Sequence, residues 1–317
     1  IVLIDDGSTD CSPAICRDFV DRYRKSLPSI TYVRVQHAGL SAARNTGIYF
    51  AHGDLVAFID GDAIADKQWL IEIQRPFTDK QVGVVGGRIE TLNKESIVAR
   101  FIHIVRHYQV FGPDLYANHI IGANMAYRSS VFDRIGVFFE EFTRRGDETS
   151  LVKKLLQSYQ FECAPNALVY HERPESLVRW LRTEWEEGYL IPLVNKAVPL
   201  VGKKRIKGWL SIVEKLLVVG LPIWLLVVMI CPRKLCRWVG ISGFFMGLGS
   251  VVRRHACNRY YREVRRELSQ EFRVPGMGGV SVFIDWLRTV IRFSGWLTGL
   301  WEHRGKSLSP TTPHRKN

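Results

Sequence analysis

Leu55-Val56-Ala57-Phe58-Ile59-Asp60-Gly61-Asp62 is the stretch on which the fold of this chain turns. Five consecutive apolar residues, among them Val56, Phe58 and Ile59, read as a buried strand. Directly behind it come two carboxylates around a glycine. Hard carboxylate oxygens this close together suit Mg²⁺ or Mn²⁺, which accept one or two such ligands and complete their shells with phosphate oxygens. An ordinary turn uses the same residue types, because Asp and Gly tolerate turn dihedrals. The flanking sequence has to separate the two readings.

Upstream, Ile1-Val2-Leu3-Ile4 is a second apolar run, and it ends in Asp5-Asp6-Gly7-Ser8-Thr9-Asp10. Two strands thus finish in acidic loops, and in open α/β sheets ligands collect at the carboxyl ends of the strands. Between them lies Gly39-Leu40-Ser41-Ala42-Ala43-Arg44-Asn45-Thr46-Gly47, with Ser41 as a helix cap and Arg44 one turn inside, in reach of a base or a phosphate. The pattern predicts helices at 13–26, 42–52 and 69–76, and strands at 30–35, 55–59, 82–90 around Gly86-Gly87, and 120–128. Helix and strand alternate, which predicts a wound α/β sheet with parallel pairing. No internal repeat is visible.

In order and spacing, 5–10, 39–47 and Asp60-Gly61-Asp62 resemble the donor-nucleotide half of family 2 glycosyltransferases. The resemblance continues through Ile121-Gly122-Ala123-Asn124-Met125-Ala126-Tyr127-Arg128, then Gly136 with 138–142, and then Gly146-Asp147-Glu148-Thr149-Ser150-Leu151. These are similar to that family's acceptor half, which ends in an acidic pair before a helix. The resemblance covers roughly residues 1 to 190. It implies a GT-A type, Rossmann-like mixed sheet flanked by helices over 1–200, and an inverting transferase that takes a sugar from a UDP- or GDP-sugar. It also implies one more strand and loop before Asp5, so the chain reads as starting inside its domain.

Sugar transfer from a nucleotide diphosphate builds negative charge on the leaving group, which calls for a cation there. Asp60 and Asp62 are the expected ligands of Mg²⁺ or Mn²⁺, Asp62 the more direct one. His171, behind the strand-like 167–170, stands where many family members carry a histidine close to the metal or diphosphate. A lone histidine can equally be structural. By resemblance Asp5, Asp6 and Ser8 hold base or ribose, Arg44 and Asp60 steady the nucleotide, and Gly86, Gly87 and Asn124 shape the sugar and acceptor pockets. Glycines at strand ends can also be simple turns. The acceptor hydroxyl must lose a proton, which requires a carboxylate within hydrogen-bond reach. Glu148 falls at the base position and Asp147 before it. The family's commoner order is Glu then Asp, so both stay candidates for the base; a helix N-terminus also favours such acids through its dipole. Arg179-Trp180 matches part of the Gln-x-x-Arg-Trp motif of processive relatives, but Ser176 occupies the glutamine position, which favours addition of one sugar.

The net charge of +13 invites a nucleic-acid partner, yet its distribution argues against one. Residues 203–273 hold 15 Lys and Arg against 4 acids, +11 of that total, whereas the catalytic half is nearly neutral. A nucleic-acid enzyme lines its working groove with positive charge. Here the basic residues bracket two uncharged segments, 216–231 and 238–252, of 16 and 15 residues. That is short of the roughly 20 residues a span requires. The expectation is an α-helical, membrane-associated region over 201–305, as two spans or as a re-entrant or interfacial hairpin, with core helices as the soluble alternative. Two spans would put the three basic residues of the link 231–237 outside and a hairpin would keep them on the cytoplasmic side, so both arrangements stay open. Residues 258–272 predict a charged helix and 280–301 one with a broad apolar face; the tail over 306–317 predicts disorder. Six cysteines lack metal-ligand spacing and read as reduced thiols of a cytoplasmic domain at the cell membrane. The implied acceptor is a lipid-linked glycan or polysaccharide. Polyprenyl phosphate, or an inactive glycan-binding scaffold, are the alternatives.

Overall fold

The apolar runs become strands. In the computed structural model, which describes residues 1–27, 29–111, 120–198, 213–223, 234–257, 259–272 and 277–306, β1 (Val2–Asp5) pairs in parallel with β2 (Thr31–Arg34). The helix α1 (Ser12–Tyr23) connects them. Next come α2 (Leu40–Phe50), β3 (Leu55–Ile59), β4 (Ala63–Ala65), α3 (Trp69–Gln74), β5 (Val82–Thr91), α4 (Ile97–Phe111), β6 (Asn124–Arg128), α5 (Ser129–Ile135), α6 (Asp147–Leu155) and β7 (Gln160–His171). The latter strands form a five-stranded sheet in the order β3-β6-β5-β7-β4.

Pairing in this sheet departs from the parallel expectation. β6 runs antiparallel to β3 on one side and to β5 on the other, with Phe58 opposite Met125 and Val84 opposite Tyr127. Alternation along a strand says which face a side chain takes but not which way its partner runs. It places Val84, Met125 and Tyr127 with Ile48, Phe132, Phe138 and Leu151 in one core, and Val85 and Ala126 with Trp69, Ile73 and Phe77 in another. Both faces are covered, which is why the central strands read as continuous apolar runs.

By compactness the chain divides into two units. One contains Ile1–Ile89 and Ile120–Val169, the other Glu90–His119 and Tyr170–Gly305. The second unit adds α7 (Leu177–Ala197), α8 (Lys234–Cys257), α9 (Arg259–Phe272) and α10 (Met277–Glu302). Its core joins Phe101, Ile102 and Val105 of α4 to Trp180 of α7 and to Val264 and Leu268 of α9. Beside that core the fully buried Glu184 pairs with Arg106 at 3.2 Å, Arg288 at 2.7 Å and Arg292 at 3.0 Å. Glu187 shares Arg106 and Arg292 at 2.5 and 3.1 Å. Among the described residues no helix is long and apolar enough to cross a membrane. Much of the expected hairpin, at 224–233, and the tail beyond 306 lie outside the described residues.

Candidate active site

Arg44 is the hub of the first unit. It sits on α2, whose N-terminal turn is tied to a distant loop: Leu40 donates its backbone N–H to Thr143 O at 2.8 Å, and the Ser41 hydroxyl donates to Phe142 O at 2.5 Å. Asn45 then exchanges hydrogen bonds with the Phe138 backbone, donating at 2.9 Å and accepting at 3.0 Å. So anchored, the guanidinium of Arg44 is 7% exposed and lies 5.8 Å from the Phe138 ring centre. Nη1 meets Asp147 Oδ2 at 2.5 Å and Glu148 Oε2 at 3.8 Å, while Nη2 reaches Asp60 Oδ1 at 3.4 Å. One cation thereby joins the acidic turn behind β3 to the acidic pair that opens α6. Gly122 makes room for it, since a Cβ at that position would overlap the guanidinium.

The acidic pair is electrostatically unequal. Asp147 is fully buried in the first turn of α6, where the helix dipole favours negative charge. Burial alone would raise its pKa, but the hydrogen bond with Glu148 and the charge of Arg44 outweigh that and hold the carboxyl below its ordinary range. Its Oδ1 is buried without a donor. Glu148 is a fifth exposed, and burial together with the Asp147 charge pushes it well above the usual glutamate range. Of the two, Asp147 is thus the lowered carboxyl and Glu148 the raised one. Tyr127, fully buried beneath the pair with its hydroxyl 3.5 Å from Met125 Sδ, is raised by burial and by both negative charges.

Asp60 and Asp62 flank Gly61 directly behind β3 in the first unit, and each offers a carboxylate oxygen. His171 ends β7. Its Nδ1 lies 2.6 Å from the Glu172 carbonyl oxygen, which can only accept, so in that contact Nδ1 is the donor. Carboxylate and imidazole groups are a donor set that Mn²⁺ or Mg²⁺ accepts.

The other expected residues serve the protein's own loops. Asp5 Oδ1 accepts from Ser8 N at 2.7 Å and Oδ2 from the Tyr32 hydroxyl at 2.7 Å, which lowers Asp5 to about 2. Asp6 accepts from the Ala38 and Gly39 backbone, each at 2.9 Å, and so shapes the entry to α2. Asn124 is fully buried: its amide donates to Arg88 O and Ala167 O at 2.8 Å and accepts from Trp69 Nε1 at 2.8 Å. A side chain at Gly87 would overlap that amide, so the bare glycine lets Asn124 brace three elements. Gly86 faces Phe161 in the same sheet. Ser176 caps α7 by accepting from Arg179 N, and Trp180 is core, 5.7 Å edge-on to Phe101. Sequence reasoning gave Asn45 and Gly122 no partner and read Ser41 as the helix cap, whereas the cap position is Gly39 and the Ser41 hydroxyl goes to Phe142 O.

The family model described as Glycosyl transferase family 2 matches residues 1–136. Those residues are similar to family 2 glycosyltransferase domains. A Pre-mycofactocin glycosyltransferase of Mycobacterium tuberculosis is 29% identical over 215 residues, 63% of this chain and 44% of that protein. Glycosyltransferase GlyA of Streptococcus pneumoniae is 28% identical over 138 residues, 44% of this chain and 16% of that protein. The chain thus spans less than half the length of these curated relatives. A mannosyltransferase of Pyrobaculum calidifontis, solved with GDP-Man and Mn²⁺, superposes with a TM-score of 0.57 at 13% identity, covering 95% of this chain and 77% of that one. This likeness establishes the shared GT-A-like fold of a mixed sheet flanked by helices.

Proposed function

We propose that the protein is an inverting, metal-dependent glycosyltransferase that moves a sugar from a UDP- or GDP-sugar to a lipid-linked or polysaccharide acceptor at the cytoplasmic face of the cell membrane. The observation that carries this reading is Arg44, which bonds Asp60 and Asp147 at once and so brings a metal-type acidic turn and a base-type acidic pair into one polar cluster. Asp60, Asp62 and His171 would hold Mn²⁺ or Mg²⁺, and the ion would supply positive charge to the departing diphosphate. Arg44 keeps Asp147 ionised and fixed, so Glu148 is the carboxyl free to exchange a proton. Glu148 takes the proton of the acceptor hydroxyl as that oxygen bonds to the anomeric carbon and the bond to the diphosphate breaks. A single displacement inverts the anomeric centre. A carboxyl whose pKa is raised toward the working pH is the stronger base for this step.

Membrane attachment is supported by the basic excess of 203–273 together with exposed Phe245, Met246 and Val252 on α8 and Phe283, Leu297 and Trp301 on α10. Apolar side chains flanked by cations lie in the headgroup region without crossing it.

The test is a thermal-shift panel of UDP- and GDP-sugars with and without Mn²⁺, since ligands of the folded state raise the melting temperature. Wild type gains stability from one nucleotide only with the metal, Asp62→Ala loses that gain, and Glu148→Gln keeps it while losing transfer. No nucleotide binding and no turnover by wild type would favour a glycan-binding scaffold. Release of nucleoside monophosphate would instead point to a pyrophosphohydrolase.

A further inference from the structure

One side-chain amide fastens the segment that carries the acidic pair to the helix that carries Arg44. Residues 138–146 lead from the fully buried Phe138 straight to Asp147 and Glu148 at the start of α6. This segment is tied to α2 on both sides of Arg44. Ahead of it, the Leu40 N–H and the Ser41 hydroxyl donate to Thr143 O and Phe142 O at 2.8 and 2.5 Å. The approach there is so close that a side chain on Gly39, whose φ is 98°, would overlap Thr143. Directly after Arg44, Asn45 grips both backbone groups of Phe138. The Phe138 N–H donates to Asn45 Oδ1 at 3.0 Å, and Asn45 Nδ2 donates to Phe138 O at 2.9 Å. Nδ2 also donates to Glu140 Oε1 at 3.1 Å. A primary amide supplies two donated hydrogens and an acceptor, whereas an ionised carboxylate of the same shape supplies acceptors alone.

The gripped residue matters to Arg44. The Phe138 ring stands edge-on to Phe58 at 5.7 Å and to Tyr127 at 6.0 Å, and its centre lies 5.8 Å from the Arg44 guanidinium. Asn45 thus fixes both the ring that flanks Arg44 and the point from which the chain sets out toward the acidic pair. We propose that Asn45 is a positioning residue for sugar transfer, holding the segment that delivers Asp147 and Glu148 in register with Arg44. This deepens the glycosyltransferase reading and rests on it for the reaction concerned. Asn45 exchanges no proton itself; it acts through Phe138 and Arg44. A misplacement of about 1 Å originating away from the chemistry can cost on the order of a hundredfold in rate.

Asn45→Asp keeps the shape and the bond accepted from the Phe138 N–H but removes both donated bonds. Release of UDP or GDP from UDP- and GDP-sugars with Mn²⁺, water serving as acceptor, is measured for wild type, Asn45→Asp and Val131→Ala. Val131 is a buried core residue of α5 and serves as the stability control. Each protein is assayed well below its own melting temperature, so that rates refer to folded molecules. In Asn45→Asp kcat falls about tenfold or more while KM for the nucleotide-sugar stays within about twofold. Its acid limb also moves to lower pH, because a loosened segment admits water to Glu148, which burial raises. Val131→Ala retains the wild-type kcat and acid limb. If Asn45→Asp does not fold, Asn45→Ser, which brings no charge beside Glu140, is held to the same criteria. Wild-type kcat and acid limb in the Asn45 variant overturn the proposal, and so does a loss of kcat that Val131→Ala shares equally, which marks the amide as structural only. A wild type that releases no nucleoside diphosphate from any of these donors refutes the transferase reading and the positioning role with it. An active wild type matched by its Asn45 variant refutes the positioning role alone.

Discussion

Replacing Arg44 with methionine keeps most of the aliphatic stem and removes the charge. Asp147 then remains fully buried with its Oδ2 stripped of the 2.5 Å bond and its Oδ1 still without a donor. Removing one partner of a buried ion pair costs about 3–5 kcal/mol, because the other charge stays behind uncompensated. Against a typical stability of roughly 5–15 kcal/mol that is a large share. The pair also predicts the repair. In Arg44→Met/Asp147→Asn no charge is left stranded, so urea unfolding of the double variant recovers about half or more of the loss. The pH response changes sign as well. In wild type the depressed Asp147 contributes stability above its unfolded pKa, and that contribution is lost as pH falls. Without Arg44, burial dominates and raises Asp147, so the single variant regains stability as pH is lowered and the carboxyl takes up a proton. A single variant within about 1 kcal/mol of wild type, or a double variant weaker than the sum of the singles, would refute the argument that Arg44 exists here to neutralise Asp147.

Two further outcomes follow from the same geometry. The acid limb of kcat/KM lies above the ordinary glutamate range, because Glu148 must lose its proton and burial beside Asp147 raises it; rate climbs with pH through that limb, and an acid limb at the ordinary carboxylate position would exclude Glu148 as the base. Asn124→Ala strands Trp69 Nε1 and the carbonyls of Arg88 and Ala167 inside the sheet, at about 1–3 kcal/mol for each unsatisfied group, and urea unfolding measures the sum.

Several elements were legible in advance for reasons of local physics. β3 begins and ends where the apolar run does, and α2, β5, α9 and α10 fall within a few residues of their expected bounds, because apolar periodicity and glycine punctuation are properties of short windows. The candidate metal ligands were also legible, since two carboxylates flanking Gly61 carry their own chemistry. The antiparallel placement of β6 between β3 and β5 was not, because pairing direction depends on where the chain returns after a long excursion. The internal partners of Asp5, Asp6 and Asn124 were not legible for a similar reason: a polar side chain in a motif looks the same whether it faces a ligand or a backbone amide.

Sequence alone marked the candidate residues: the strand ending in Asp60-Gly61-Asp62, the pair Asp147-Glu148 and an order of motifs resembling family 2 glycosyltransferases. Only the tertiary structure decided how they relate. Arg44 lies 103 residues from Asp147 and 16 from Asp60, yet it touches both, and that contact helps lower Asp147 while burial raises Glu148. The ranking comes from burial and from the placement of one cation, and neither quantity exists until the chain has folded.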